Sequence, residues 1–130
     1  MLSLQGNTAV YLQYAYASIQ SILRRAGGSG EDLPPTSEAM TLVPAERELI
    51  LLLDDMDSVL CAVEDYYEPH RLCNYLYSLA QAFTAFYEQC SVLKAPTPYV
   101  RAYRLAMCEL TARTLHLGLE LLGIKTPERL

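Results

Sequence analysis

The groups in this 130-residue chain best placed to do chemistry are two tyrosines, a hydroxyl and a cation on one helical stretch, Gly6 to Arg25. Tyr11, Tyr14, Ser18 and Arg25 share a stripe. At about 100° per residue, that stripe is displaced by roughly 110° from the apolar face formed by Ala15, Ile19, Ile22, Leu23 and Ala26. One face serves a core; the other is free for a ligand. Rings on an outer stripe can stack on a planar base, and an Arg beside them can pair with phosphate. The competing reading is that these tyrosines only cap the core edge with their hydroxyls in water, as amphipathic side chains often do.

No group of residues suggests a reaction. The chain has no G-x-x-x-x-G-K loop, no G-x-G-x-x-G fingerprint and no G-x-S-x-G elbow. Its two histidines, His70 and His116, have no partners at catalytic or metal spacing. Cys61, Cys73, Cys90 and Cys108 are spaced 12, 17 and 18 apart, without a C-x-x-C pair, so no zinc site is expected. Each sits among apolar neighbours and reads as a buried, reduced thiol of a cytoplasmic protein. Asp54, Asp55 and Asp57 lack the glycine and distal Glu of a calcium loop and read as a solvated turn. The expectation is therefore no metal and no cofactor held by this chain. No apolar run approaches the ~20 residues that span a bilayer. The N-terminus lacks the basic and apolar regions of a signal peptide.

The elements that must position the tyrosines are helices. Hydrophobic residues make up 52% of the chain, enough for one core. Gly6-Asn7-Thr8 offers cap chemistry to a first helix over Asn7–Ala26, stopped by Gly27-Gly28-Ser29-Gly30. A Pro-containing loop runs on to about Val43. Pro44-Ala45-Glu46 starts a second helix, with acids placed to suit its N-terminus. Asp54 to Ser58 is read as a break, with Asp57 or Ser58 capping a further segment to about Tyr66. From Glu68 to Cys90, Leu72, Tyr75, Leu76, Leu79, Phe83, Phe86, Tyr87 and Cys90 form a broad apolar stripe, while Asn74, Gln81, Thr84 and Glu88 face away. Thr97 caps a last long helix from Pro98 to about Leu122, ended by Gly123. That helix is apolar nearly all round and is expected at the centre. Its polar stripe is Ala102, Glu109, Arg113, His116 and Glu120. No period-2 pattern lasts long enough for a strand. The fold class is an all-α bundle of four or five helices in one domain, 1–130.

Net charge is −5, unevenly spread. Residues 1–30 carry Arg24 and Arg25 alone; residues 31–93 carry twelve acids against Arg47 and Arg71; residues 94–130 carry six cations against three acids. If the two ends pack together, they give a mildly basic face on an acidic body.

Three blocks carry a resemblance. They are G-N-T-A-V-Y-L-Q-Y-A at 6–15, E-P-H-R-L-C-N-Y-L-Y-S-L-A-Q-A-F-T-A-F-Y-E-Q-C-S-V-L at 68–93, and R-L-A-M-C-E-L-T-A-R-T-L-H-L-G-L-E-L-L-G-I-K-T-P-E-R-L at 104–130. In this order they resemble the C-terminal anticodon-binding, or DALR, domain of arginyl-tRNA synthetases. The resemblance implies a helical tRNA-binding domain whose partners are tRNA-Arg and the catalytic domain of the same parent chain. ATP belongs to that separate catalytic domain. Neither DNA nor a membrane is an implied partner. By family motif the anticodon contacts fall on Tyr11, Tyr14, Ser18, Tyr87 and Leu130, with Arg25, Lys94 and Arg101 as candidate phosphate contacts. The family usually has Arg where this chain has Ser18, Pro where it has Val10, and Met where it has Leu130. The alternative function is a helical protein–protein module derived from the same fold without RNA binding. The acidic middle is expected to face away from any RNA.

Overall fold

The computed structural model describes residues 6–27, 42–66 and 68–126. They form five helices: α1 (Gly6–Arg25), α2 (Pro44–Asp54), α3 (Met56–Tyr66), α4 (Pro69–Gln89) and α5 (Pro98–Leu121). No strand occurs among the described residues. The all-α bundle expected from the sequence is the architecture observed.

Helix α4 is the hub, touching all four other helices, and α5 packs against α1, α4 and α2. The expected stripe of α4 is buried from Leu72 to Phe86, with Tyr87 half-buried; Asn74, Gln81, Thr84 and Glu88 are exposed. Helix α1 contributes Leu12, Tyr16, Ile19, Ile22 and Leu23 to the same core. Leu12, Ile19, Leu76, Leu79, Phe86, Leu115 and Leu119 are fully buried. Each such side chain stabilises the fold by about 1.5–3 kcal/mol relative to leaving it in water.

The helix ends follow the local chemistry. Thr97 accepts a hydrogen bond from Val100 N–H at 3.1 Å, capping α5. Its other end closes with two bonds, Gly123 N–H to the Glu120 carbonyl at 3.0 Å and Ile124 N–H to the Leu119 carbonyl at 2.8 Å. This paired closure needs a left-handed residue, and Gly123 sits at φ +78°. The break between α2 and α3 falls at Asp55, earlier than the Asp57 or Ser58 cap expected, because the Asp55 carbonyl already accepts from Val59 N–H at 3.1 Å.

Three expectations are corrected. Helix α5 is not central: Leu110, Leu117 and Leu121 on its outer side are exposed, since its neighbours α1, α4 and α2 cover only part of its circumference. Cys61 is exposed rather than buried, whereas Cys73, Cys90 and Cys108 are inside. The charge count hid a buried pair. Arg104 Nε donates to Glu46 Oε2 at 3.0 Å, with side-chain exposures of only 11% and 2%. Glu46 Oε1 also accepts from Val43 N–H at 2.9 Å. Arg104 Nη1 donates to the Ser91 carbonyl at 2.7 Å. This network clamps the start of α2 and the α4–α5 loop onto α5.

Candidate nucleic-acid interface

A pocket of about 350 Å³ opens between α1 and α4. From α1 it takes Tyr11, Tyr14, Ser18 and Arg25, the outer stripe, with Ala15 and Ile22 at the edge of the core face. From α4 it takes Phe83, Thr84, Tyr87 and Glu88. Helical spacing explains both walls: residues three, four and seven apart stand on one side of a helix.

The aromatic groups are graded in exposure. Phe83 is buried, and the ring of Tyr87 lies nearly parallel to it, 11° between planes and 6.2 Å between centroids. Tyr11 is half-buried and leans on Tyr77, 5.1 Å between centroids at 49°. Tyr14 is 64% exposed. Tyr87 and Tyr11 are therefore fixed by their neighbours, and Tyr14 presents a face to solvent.

The polar groups of the pocket remain available. Arg25 makes no ion pair among the described residues, and neither does Glu88. Thr84 Oγ1 donates its proton to the Ala80 carbonyl at 3.0 Å, which leaves the oxygen free to accept. Together these offer a cation for phosphate, a carboxylate that can accept from a base amino group, an accepting oxygen on Thr84 and a Ser18 hydroxyl that can donate or accept.

Five of the eight sequence-derived site residues thus meet in one place: Tyr11, Tyr14, Ser18, Arg25 and Tyr87. Three do not. Lys94 is exposed on the loop between α4 and α5. Arg101 donates through Nη2 to the Ala26 carbonyl at 3.3 Å, satisfying the C-terminal end of α1. Leu130 lies outside the described residues. The last described residues are tied to the bundle: Gln13, next to Tyr14, donates to the Lys125 carbonyl at 2.9 Å, and His116 Nδ1 lies 2.6 Å from Thr126 Oγ1.

Sequence reasoning missed Tyr77, Phe83, Thr84 and Glu88 as pocket neighbours. Their spacing held the signal, because Tyr77, Thr84 and Glu88 stand seven and four apart on one side of α4. Glu88 also corrects the idea that the acidic middle turns wholly away from this face. Among the described residues no three His, Cys, Asp or Glu side chains gather as metal ligands, and no helix is long and apolar enough to cross a membrane.

The family model of the DALR anticodon binding domain matches residues 12–130. The chain belongs to this family. Its DALR relatives include the arginine–tRNA ligase of Frankia casuarinae, 59% identical over the whole chain, of which the chain covers 21%. The arginine–tRNA ligase of Streptomyces coelicolor is 54% identical, again over the whole chain and 22% of that protein. Among solved structures, Thermus thermophilus arginyl-tRNA synthetase superposes with a TM-score of 0.83 and 38% identity over 99% of this chain and 22% of that one. The arginyl-tRNA synthetase of Plasmodium falciparum gives 0.81 and 34% over the same shares. This DALR chain spans about a fifth of the length of the curated relatives it matches.

Proposed function

We propose that this domain binds the anticodon stem-loop of tRNA-Arg, as the anticodon-reading part of an arginine–tRNA ligase. The carrying observation is the α1–α4 pocket, where an exposed ring, two fixed rings and an Arg without an ion pair among the described residues converge. Unpaired anticodon bases are recognised by stacking on aromatic side chains and by hydrogen bonds to their edges. Tyr14 is the stacking platform. Tyr11 and Tyr87 hold a base against the pocket wall, Ser18 and Glu88 meet its polar edge, and Arg25 meets a neighbouring phosphate. Lys94 adds a distant phosphate contact. Arg101 acts by holding the end of α1, beside Arg25, and Leu130 adds an apolar contact. Attachment of arginine, with ATP, belongs to a catalytic domain elsewhere in the parent chain. The setting is the cytoplasm, with tRNA-Arg and that catalytic domain as partners and neither DNA nor a membrane involved.

Binding of a tRNA-Arg transcript to the pure chain, followed by filter retention across a salt series, tests this. Affinity should fall as salt rises, with a shallow slope of about 0.7 counterion per phosphate contact. A chain that retains no tRNA-Arg at low salt is instead a protein–protein module.

A further inference from the structure

The outer side of α5 has an unusual composition for a surface. Tyr103, Ala106, Leu110, Leu117 and Leu121 recur at three, four, seven and four residues, which puts them on one stripe about 27 Å long at 1.5 Å per residue. Leu110, Leu117 and Leu121 are 49%, 44% and 58% exposed. This stripe lies opposite the fully buried Cys108, Leu115 and Leu119. It is also distinct from the helix's solvent face, where Glu109 pairs with Arg113 and His116 with Glu120. At its N-terminal end the stripe borders an apolar groove of about 330 Å³, to which α2 contributes Ile50 and Leu53. Single exposed leucines need no explanation, but apolar residues repeated along one side of a helix, interrupted only beside Arg113, mark an interaction surface.

We infer that this stripe is the docking surface for the remainder of a synthetase chain. That inference rests on the function proposed above. The chain covers only 21% and 22% of the two ligases it matches at 59% and 54% identity, so in such a protein a body several times its size must be joined to it. The five stripe residues are uncharged, and the one cation beside them, Arg113 between Leu110 and Leu117, is held by Glu109, which fits protein better than a phosphate backbone. The aromatic pocket includes no α5 residue, so RNA and the rest of the chain can be held at once.

The test uses a full-length arginine–tRNA ligase carrying this domain, beside the 130-residue chain. Leu121→Cys is introduced in both and alkylated, with labelling read on the peptide by mass. Labelling at least tenfold slower in the full-length protein supports the docking. In the full-length protein, Leu117→Gln with Leu121→Gln should speed protease cleavage between this domain and the rest at least tenfold. The same pair should leave stem-loop affinity of the 130-residue chain unchanged. Equal labelling rates in the two proteins overturn the inference. So does a 130-residue chain whose labelling slows with its own concentration, since the stripe then joins two copies, and so does a double variant that loses stem-loop affinity. Slowed labelling in a full-length protein that binds no tRNA-Arg supports the docking surface while removing the RNA reading.

Discussion

Two regions of this bundle gather the same kinds of group and use them oppositely. At the junction of α2 and α5, Glu46 and Arg104 are nearly enclosed, and their atoms are answered by each other, by Val43 N–H and by the Ser91 carbonyl. In the α1–α4 pocket, Arg25, Glu88 and Tyr14 have no such answer among the described residues and stand at the surface. The first region stabilises the fold; the second is free to bind. A cation in the sequence contributes to recognition only where the fold leaves it unpaired, which is why the charge count alone overstated the basic ends.

The contrast is broken most strongly at the junction. Glu46→Ala leaves the Arg104 guanidinium buried without its partner, at a cost of about 3–5 kcal/mol. For a domain of this size that should lower Tm by roughly 10–20 °C in calorimetry, while stem-loop affinity measured well below Tm stays unchanged. Glu46→Leu with Arg104→Met removes both charges and should recover much of the loss. A Tm shift of only a degree or two for Glu46→Ala would show that the junction does not clamp the bundle.

High pH probes the interior next. Burial pushes the Cys108 thiol up from 9.0 to about 12. Burial, and then the Asp55 carboxylate, push the Tyr75 phenol up from 10.0 to about 12. Both groups are neutral when protonated, and the unfolded chain loses these protons first. Their contribution is therefore complete below about pH 9 and is lost as pH rises toward 12. The loss reaches several kcal/mol by about pH 12, since each tenfold change in proton affinity on folding is worth ~1.4 kcal/mol. Chemical denaturation from pH 7 to 11 should be flat and then fall, and Cys108→Ala should fall less steeply. A wild-type profile that is flat to pH 11 contradicts this.

Smaller effects follow. A Cβ on Gly118 would stand 2.6 Å from both methyls of the fully buried Leu76. Overpacking of this kind costs about 1–3 kcal/mol, offset in part by the ~1 kcal/mol that Ala gains over Gly in a helix. Gly118→Ala should lower stability modestly in urea, and an increase would mean that Leu76 moves freely. Smallest of all, Arg113→Ala removes the exposed ion pair to Glu109, 3.0 Å long with Arg113 74% exposed, and should change stability by no more than a few tenths of a kcal/mol.

Helical periodicity made most of this fold legible. The α4 stripe, the Thr97 cap, the Gly123 stop and both i,i+4 polar pairs within α5 follow from spacing along one helix, and all appear as expected. What spacing cannot give is which helix lies opposite. Arg104 meets Glu46 across 58 positions, and Tyr11 meets Tyr77 across α1 and α4, so neither contact has a local signature. The apolar girth of α5 suggested a central helix because periodicity does not distinguish a face covered within this chain from one left open. The outer stripe of α1 was legible as a surface, but the pocket it forms with Phe83, Thr84 and Glu88 required the fold.

The central claim is that the α1–α4 face binds an unpaired base through Tyr14. It is tested most directly by measuring anticodon stem-loop affinity and thermal unfolding together for Tyr14→Ala and Tyr14→Phe. A stacked base contributes about 1–3 kcal/mol. Tyr14→Ala should therefore weaken binding by roughly one to two decades, at ~1.4 kcal/mol per decade, and Tyr14→Phe by less. Because Tyr14 is 64% exposed, Tm should scarcely move. A Tm lowered by many degrees, with stem-loop affinity intact at low temperature, would make Tyr14 a support of the fold and contradict its role as a platform for RNA.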